Sequence, residues 1–243
     1  YTYADRSAQA VIEGMLRHVV QGRDAHEVTA LYDTMRAAVR NNGEGGLSAL
    51  AVAAVDMALW DLKAKALEVP LYDLLGGRVR DAVELYGSGG FTSYSDPELR
   101  EQLGGWADKG FRSVKMKIGR DADADPDRIA SARRAIGART QLFTDANAAY
   151  TVRDAVAMSA RMRQSDVRWF EEPVHHRDHA GLRSVRRHVP PGMAVAAGEY
   201  GFTLDDARML LASGCVDVLQ ADATRCGITG FMRTASLCQA YRI

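Results

Sequence analysis

Four acids each follow directly on a short apolar run: Asp145 after Phe143-Thr144, Glu171 after Trp169-Phe170, Glu199 after Ala197-Gly198, and Asp222 after Leu219-Gln220-Ala221. Carboxylates are seldom buried unpaired, so the same placement after four successive apolar segments is hard to explain as packing. Upstream, Val114-Lys115-Met116-Lys117-Ile118 sets two lysines two residues apart, which in a strand puts both on one face. Asp145, Glu171 and Glu199, if they converge, repel one another unless a cation stands among them. Oxygen donors without a His–Cys cluster favour a hard divalent ion, Mg2+, over zinc. Each lysine ammonium disfavours the protonated form of the other, the direction in which a lysine becomes a general base. Taken singly, any one of these acids reads equally as a solvated loop residue or a helix N-cap, and the lysines as surface residues of an edge strand.

Positioning such groups requires an ordered scaffold, and the hydrophobic pattern supplies one. From about residue 82 the chain alternates short apolar strands (Val83–Tyr86, Ser113–Ile118, Gln141–Thr144, Val167–Phe170, Ala194–Ala197, Val216–Gln220) with helical stretches (Pro97–Lys109, Asp127–Ile136, Val152–Gln164, Ala180–His188, Leu204–Ala212). Strand–helix alternation implies βαβ units and a parallel sheet. Six units of this kind predict an α/β fold of the (β/α)8 TIM-type barrel, incomplete, with strands 1–6 present. In such a barrel the strand ends converge on one mouth, where the acids would meet. An open doubly wound sheet is the alternative, but Gly87-Ser88-Gly89-Gly90-Phe91 after the first strand lacks the third glycine of a dinucleotide loop. Residues 4–75 read as helical: Ala8–Val20, Val28–Val39 and Leu47–Leu67, the last ended by Pro70. The loop Asn41-Asn42-Gly43-Glu44-Gly45-Gly46 has neither a preceding strand nor a following Lys-Ser/Thr, and reads as a turn or cap instead of a phosphate cradle. Tyr1 opens without a methionine, and Ile243 closes just after the amphipathic helix Gly230–Tyr241, where another strand is expected. The chain is therefore read as incomplete.

The 243 residues carry no net formal charge, with 47% hydrophobic and 26% charged residues. Nothing in that balance favours a nucleic-acid or membrane partner, and no apolar run approaches the roughly 20 residues of a membrane span. Cys215, Cys226 and Cys238 are odd in number and unpaired in spacing, which reads as reduced thiols in a cytoplasmic protein.

Lys115-Met116-Lys117, Asp145-Ala146-Asn147, Phe170-Glu171-Glu172-Pro173, Gly198-Glu199 and Asp222, in this order, resemble the signature of the mandelate racemase-like branch of the enolase superfamily. The stretch Ala58-Leu59-Trp60-Asp61-Leu62-Lys63 through Leu74-Leu75-Gly76-Gly77 is similar to that family's approach to the barrel, so the likeness runs from about residue 40 to the end. The resemblance implies a helical part of an α+β capping domain over residues 1–78 and a catalytic barrel over 79–243. It implies Mg2+ held by Asp145, Glu171 and Glu199, with Lys117 as base and Lys115 holding the substrate carboxylate and favouring the neutral form of Lys117. Asp222 would orient a seventh-strand histidine that, with an eighth-strand acid, lies outside these 243 residues. Asn147 would contact substrate or support the ligands. The sequence departs from the family at Cys226-Gly227-Ile228, where two glycines are usual.

Tyr94 and Ser93, after the first strand, are candidate hydroxyl-binding groups, and Arg225 a candidate partner for a substrate or barrel carboxylate. His175, His176 and His179 read as a solvated loop, and Cys226 lacks a neighbouring histidine to make it a nucleophile. The expectation is a Mg2+-dependent lyase that dehydrates an acid sugar, a small-molecule carboxylate, and works as a homo-oligomer. A racemase or epimerase of a 2-hydroxy acid is the alternative, and a catalytically silent barrel is the rival from another class. A cycloisomerase is disfavoured because that branch usually has aspartate where this chain has Glu199.

Overall fold

The computed structural model describes residues 5–243. Two compact units make up the described chain. One comprises residues up to Asp81 with Gly198–Met209 and Gln220–Ile243, and the other Ala82–Ala197 with Leu210–Leu219.

The second unit is the parallel sheet. Six strands, β1 Gly87–Gly89, β2 Ser113–Lys117, β3 Gln141–Asp145, β4 Val167–Glu171, β5 Ala194–Ala197 and β6 Val218–Leu219, pair in chain order and all in parallel. The α/β fold class with consecutive parallel strands expected from the sequence is the one observed. Helices α6 Asp96–Asp108, α7 Asp125–Ile136, α8 Val152–Met162 and α9 His179–His188 follow β1 to β4, and α10 Leu204–Ala212 follows β5. The period of two in each strand divides its residues between two faces. Val114, Met116, Leu142, Phe170 and Val195 point to one side and join the buried core with Leu99, Ile129, Met158 and Leu182 from the helices. Lys115, Lys117, Phe143, Asp145, Trp169 and Glu171 share the other side, in register across β2, β3 and β4.

Two strands depart from the expectation. The first lies at Gly87–Gly89 instead of Val83–Tyr86, and Val83 and Leu85 are exposed. Methyl groups at Gly87 and Gly89 would collide with Trp106 and Gln102, so the two buried positions of this strand, on either side of exposed Ser88, take glycine. The sixth is cut to Val218–Leu219; just before it the Asp217 N–H donates to the Val195 carbonyl at 2.8 Å and its carboxylate accepts the Val195 N–H at 2.9 Å.

The first unit is helical: α1 Asp5–Val11 runs through a π turn (Ile12–Leu16) into α2 Arg17–Val20, followed by α3 Val28–Val39, α4 Gly46–Ala66, α5 Leu71–Leu74 and α11 Ala223–Tyr241. The loop at residues 41–46 is the turn expected, with Gly43 and Gly46 at positive φ and Glu44 paired to Arg36 at 2.5 Å. Helix α11 starts earlier than the expected Gly230 and is broken at Gly227 (φ 75°, ψ 167°). That backbone region favours glycine, and a methyl there would sit 2.6 Å from Asp56 Oδ2. Cys226, the departure from the two-glycine pattern, precedes the break inside the helical turn and so tolerates a side chain.

Buried polar groups tie α11 to α3 and α4 within this unit. The Thr229 N–H and hydroxyl donate to Asp56 at 2.9 and 2.6 Å, and Trp60 Nε1 donates to the Thr229 hydroxyl at 2.9 Å. Tyr32 donates to the Cys226 carbonyl at 3.0 Å, and at the surface Arg233 forms a bidentate pair with Asp33.

Candidate active site

In the sheet unit, the last ladder positions of β2, β3 and β4 align Lys117, Asp145 and Glu171 side by side. One layer below lie Lys115, Phe143 and Trp169. Lysine is long enough to reach up a layer, and Lys115 Nζ lies 2.5 Å from Glu171 Oε2 and 3.5 Å from Asp145 Oδ2. Lys117 Nζ is 2.5 Å from Asp145 Oδ2. Asp145 and Glu171 are wholly buried, Lys115 nearly so, and the Lys117 side chain about a quarter exposed at 24%. Below them Phe143 and Trp169 stack with centroids 5.2 Å apart, and Tyr86 meets Phe143 edge-on. Trp169 Nε1 donates to Glu171 Oε2 at 3.2 Å, and the Tyr86 ring lies 5.4 Å from Lys115 Nζ.

The electrostatics follow from that packing. Burial, and then the charge of Asp145, push the Glu171 carboxyl above the usual glutamate range. Burial acts on Asp145 in the same sense, but the hydrogen bond from Lys117, the adjoining Glu171 carboxyl and the lysine charges hold it below the usual aspartate range. For Lys115, burial favours the neutral amine, yet the charges of Glu171 and Asp145 outweigh it and raise its pKa. The mutual destabilisation expected of the two ammoniums is thus reversed at Lys115, because its acidic partners are the nearer charges.

Asn147 follows at positive φ (43°), and its backbone N–H donates to Asp145 Oδ1 at 2.9 Å while its side chain is exposed. Tyr94 lies in the loop after β1, with its hydroxyl 3.4 Å from Gln102 Nε2. Glu199, Asp222 and Arg225 belong to the other unit. There a methyl at Gly198 would lie 2.6 Å from the Gln220 carbonyl, so the backbones just before Glu199 and Asp222 run in close contact. Asp222 serves as the N-cap of α11, accepting the Thr224 N–H at 2.8 Å. Arg225 lies 4.8 Å from the Tyr200 ring and 5.4 Å from that of Phe202, with Nε 3.7 Å from Asp222. His175 and His176 stack on each other on the loop after β4. Burial pushes the Cys226 thiol up to about 12, the opposite of an activated nucleophile. Among the described residues no three His, Cys, Asp or Glu side chains are gathered into a metal-holding group.

A divalent cation fits the Asp145–Glu171 pair on one observation: Glu171 Oε1 is buried without a hydrogen-bond partner. A buried carboxylate oxygen left so is costly, and oxygen-only donors suit a hard ion. Phe143, Trp169 and Tyr86 carry no charge that marks them in the sequence as part of the site. The signal for the first two is their period-two offset from Asp145 and Glu171 along the same strands.

Residues 1–76 match the mandelate racemase / muconate lactonizing enzyme N-terminal domain, and residues 98–243 the enolase C-terminal domain-like family. The chain belongs to the mandelate racemase/muconate lactonizing enzyme family of the enolase superfamily. A crystal structure of a mandelate racemase/muconate lactonizing enzyme-like protein from Rubrobacter xylanophilus superposes with a TM-score of 0.96 at 48% identity, covering 100% of this chain and 67% of that one. The crystal structure of a racemase from Streptomyces coelicolor with bound magnesium gives 0.92 at 30%, covering 98% and 66%. D-galactarolactone cycloisomerase of Agrobacterium fabrum is 34% identical over 85% of this chain and 55% of its own length. D-gluconate dehydratase of Thermoproteus tenax is 31% identical over 91% and 46%. The chain thus spans about half the length of these two curated relatives.

Proposed function

We propose that this chain carries part of the active site of a Mg2+-dependent lyase that removes the proton next to a carboxylate and dehydrates an acid sugar. The observation that carries the reading is the cluster of Lys115, Lys117, Asp145 and Glu171 at the ends of three adjacent strands. In this reading Asp145 and Glu171, with Glu199 as a third ligand, hold the cation. When bound, it supplies positive charge for the two oxygens of the enediolate that proton loss leaves on the substrate. Lys115 binds the substrate carboxylate with a firmly held ammonium. Lys117, as the neutral amine, would take the α-proton. Asp222 orients a proton-transferring group on the opposite face, and Asn147, Tyr94 and Arg225 contact the substrate. A small acid-sugar substrate, a homo-oligomer and a cytoplasmic setting belong to the same proposal. Among the described residues no helix is long and apolar enough to cross a membrane.

Loss of the β-hydroxyl is favoured by the likeness to D-gluconate dehydratase. Cycloisomerisation of a lactone is the second reading, on the likeness to D-galactarolactone cycloisomerase, despite glutamate at position 199. The deciding experiment incubates the full chain with Mg2+ in deuterated water against acid sugars, their lactones and 2-hydroxy acids, and reads products by mass spectrometry. A 2-keto-3-deoxy acid supports dehydration. A ring-opened isomer of a lactone supports cycloisomerisation, and deuterium in recovered substrate alone supports racemisation or epimerisation. Replacing Lys117 by alanine should abolish α-proton exchange while calorimetry still detects Mg2+ binding; undiminished exchange would remove Lys117 from the role of base.

A further inference from the structure

At the end of β2 the Lys117 N–H donates to the Gly90 carbonyl at 3.1 Å, and past Ile118 a buried side chain takes over from the backbone in holding the loop. Asp125, in the first turn of α7, is 1% exposed, and its Oδ2 accepts two hydrogen bonds. One comes from the Gly119 N–H at 2.7 Å, two residues after Lys117. The other comes from the Tyr150 hydroxyl at 2.6 Å, five residues after Asp145. A single buried carboxylate oxygen therefore fastens the loop after β2 to the loop after β3. Gly119 stands at φ +95°, and a side chain there would collide with Ala149, so the two loops also touch directly. The Ile118 N–H donates to the Asp145 carbonyl at 2.9 Å, and Tyr150 packs its ring against Phe170. The fastening closes immediately beside the Lys117–Asp145 pair.

We propose that Asp125 is a positioning residue for Lys117: through Gly119 and Tyr150 it fixes the distance between the Lys117 amine and Asp145. The inference rests on the proposed role of Lys117 as base, but the fastening can be read without turnover. A displacement of about 1 Å at a reacting group costs up to about 100-fold in rate, so small loosening is measurable.

The experiment uses the full chain with Mg2+ and the variants Asp125→Ala, Asp125→Asn and Tyr150→Phe. The first readout is the rate of reductive methylation of Lys117 relative to exposed Lys109, by peptide mass spectrometry. The second is kcat and KM for α-proton exchange with an acid the wild type turns over. Asp125→Ala should raise the Lys117/Lys109 methylation ratio about 10-fold and lower kcat about 10- to 100-fold, with KM within about twofold. Asp125→Asn, which keeps an acceptor for Gly119, should recover most of both. An unchanged methylation ratio and an unchanged kcat per folded molecule, with only a lower melting temperature, would make Asp125 purely structural and overturn the proposal. Should Asp125→Ala fail to fold, Tyr150→Phe decides: the same two changes at about 3- to 10-fold support it, and wild-type values in both overturn it. If the wild type exchanges no acid at all, the reaction proposed above fails, while the methylation ratio still decides the fastening.

Discussion

Replacing Thr229 by valine keeps the shape of the side chain and removes one hydroxyl at the centre of the buried network joining α4 and α11. That hydroxyl donates to Asp56 Oδ1 at 2.6 Å and accepts from Trp60 Nε1 at 2.9 Å, and all three residues are buried. The Thr229 N–H bond to Asp56 Oδ2 survives the substitution. Two buried polar atoms lose their partner, at about 1–3 kcal/mol each, and the added methyl returns about 1 kcal/mol. The net loss is about 1–5 kcal/mol, which for a chain of this size lowers the melting temperature by roughly 2–20 °C. Scanning calorimetry and urea midpoints measure it, and Trp60→Phe in the same background tests the coupling. The double variant should lose about 1 kcal/mol less than the sum of the two single ones, because the indole N–H is already without its acceptor. A shift below about 2 °C, or strict additivity, would refute the claim that this network holds α11 to α4.

The remaining predictions concern the same groups and the site. Burial raises the Asp56 carboxyl above its usual 3.8, with the Thr229 bonds opposing; the folded state therefore favours the protonated acid, a contribution present below the unfolded value and lost as pH rises through the folded one. Urea denaturation from about pH 4 to 7 should show Asp56→Asn gaining stability relative to wild type as pH rises, and a pH-independent difference would contradict the burial argument. Gly227→Ala puts a methyl 2.6 Å from Asp56 Oδ2 at a left-handed φ and should cost about 2–4 kcal/mol by thermal unfolding. Lys115→Met leaves Glu171 without its paired cation and Asp145 with Lys117 alone, so it should lose about 3 kcal/mol in the presence of a chelator. Mg2+ at about 100 times its Kd should return about 2.7 kcal/mol of that loss. A variant equally stable with and without Mg2+ would count against the carboxylates as ligands.

What the sequence made legible follows from how each feature is encoded. Strands β2 to β5 announce themselves because their core-facing residues, Val114, Met116, Leu142, Phe170 and Val195, are apolar at period two. The same period puts Lys115, Lys117, Asp145 and Glu171 on one face, so the cluster on adjacent strand ends is legible in the sequence. Strand β1 could not be read, since Trp106 and Gln102 take the space its side chains would need and glycine carries no hydrophobic signal. The ionisation of Lys115 went the other way from the sequence argument because spacing along one strand reveals the like charge two residues away. It does not reveal the carboxylates at 2.5 and 3.5 Å that come from β4 and β3. Asp125–Tyr150 and Asp56–Thr229 were illegible for the same reason. Each is a single polar pair separated by 25 or 173 residues, with no periodicity to mark it. Local pattern thus specifies which side chains face the chemistry. The groups that hold them at hydrogen-bond distance are set by which loops meet in three dimensions, and it is there that the variants above act.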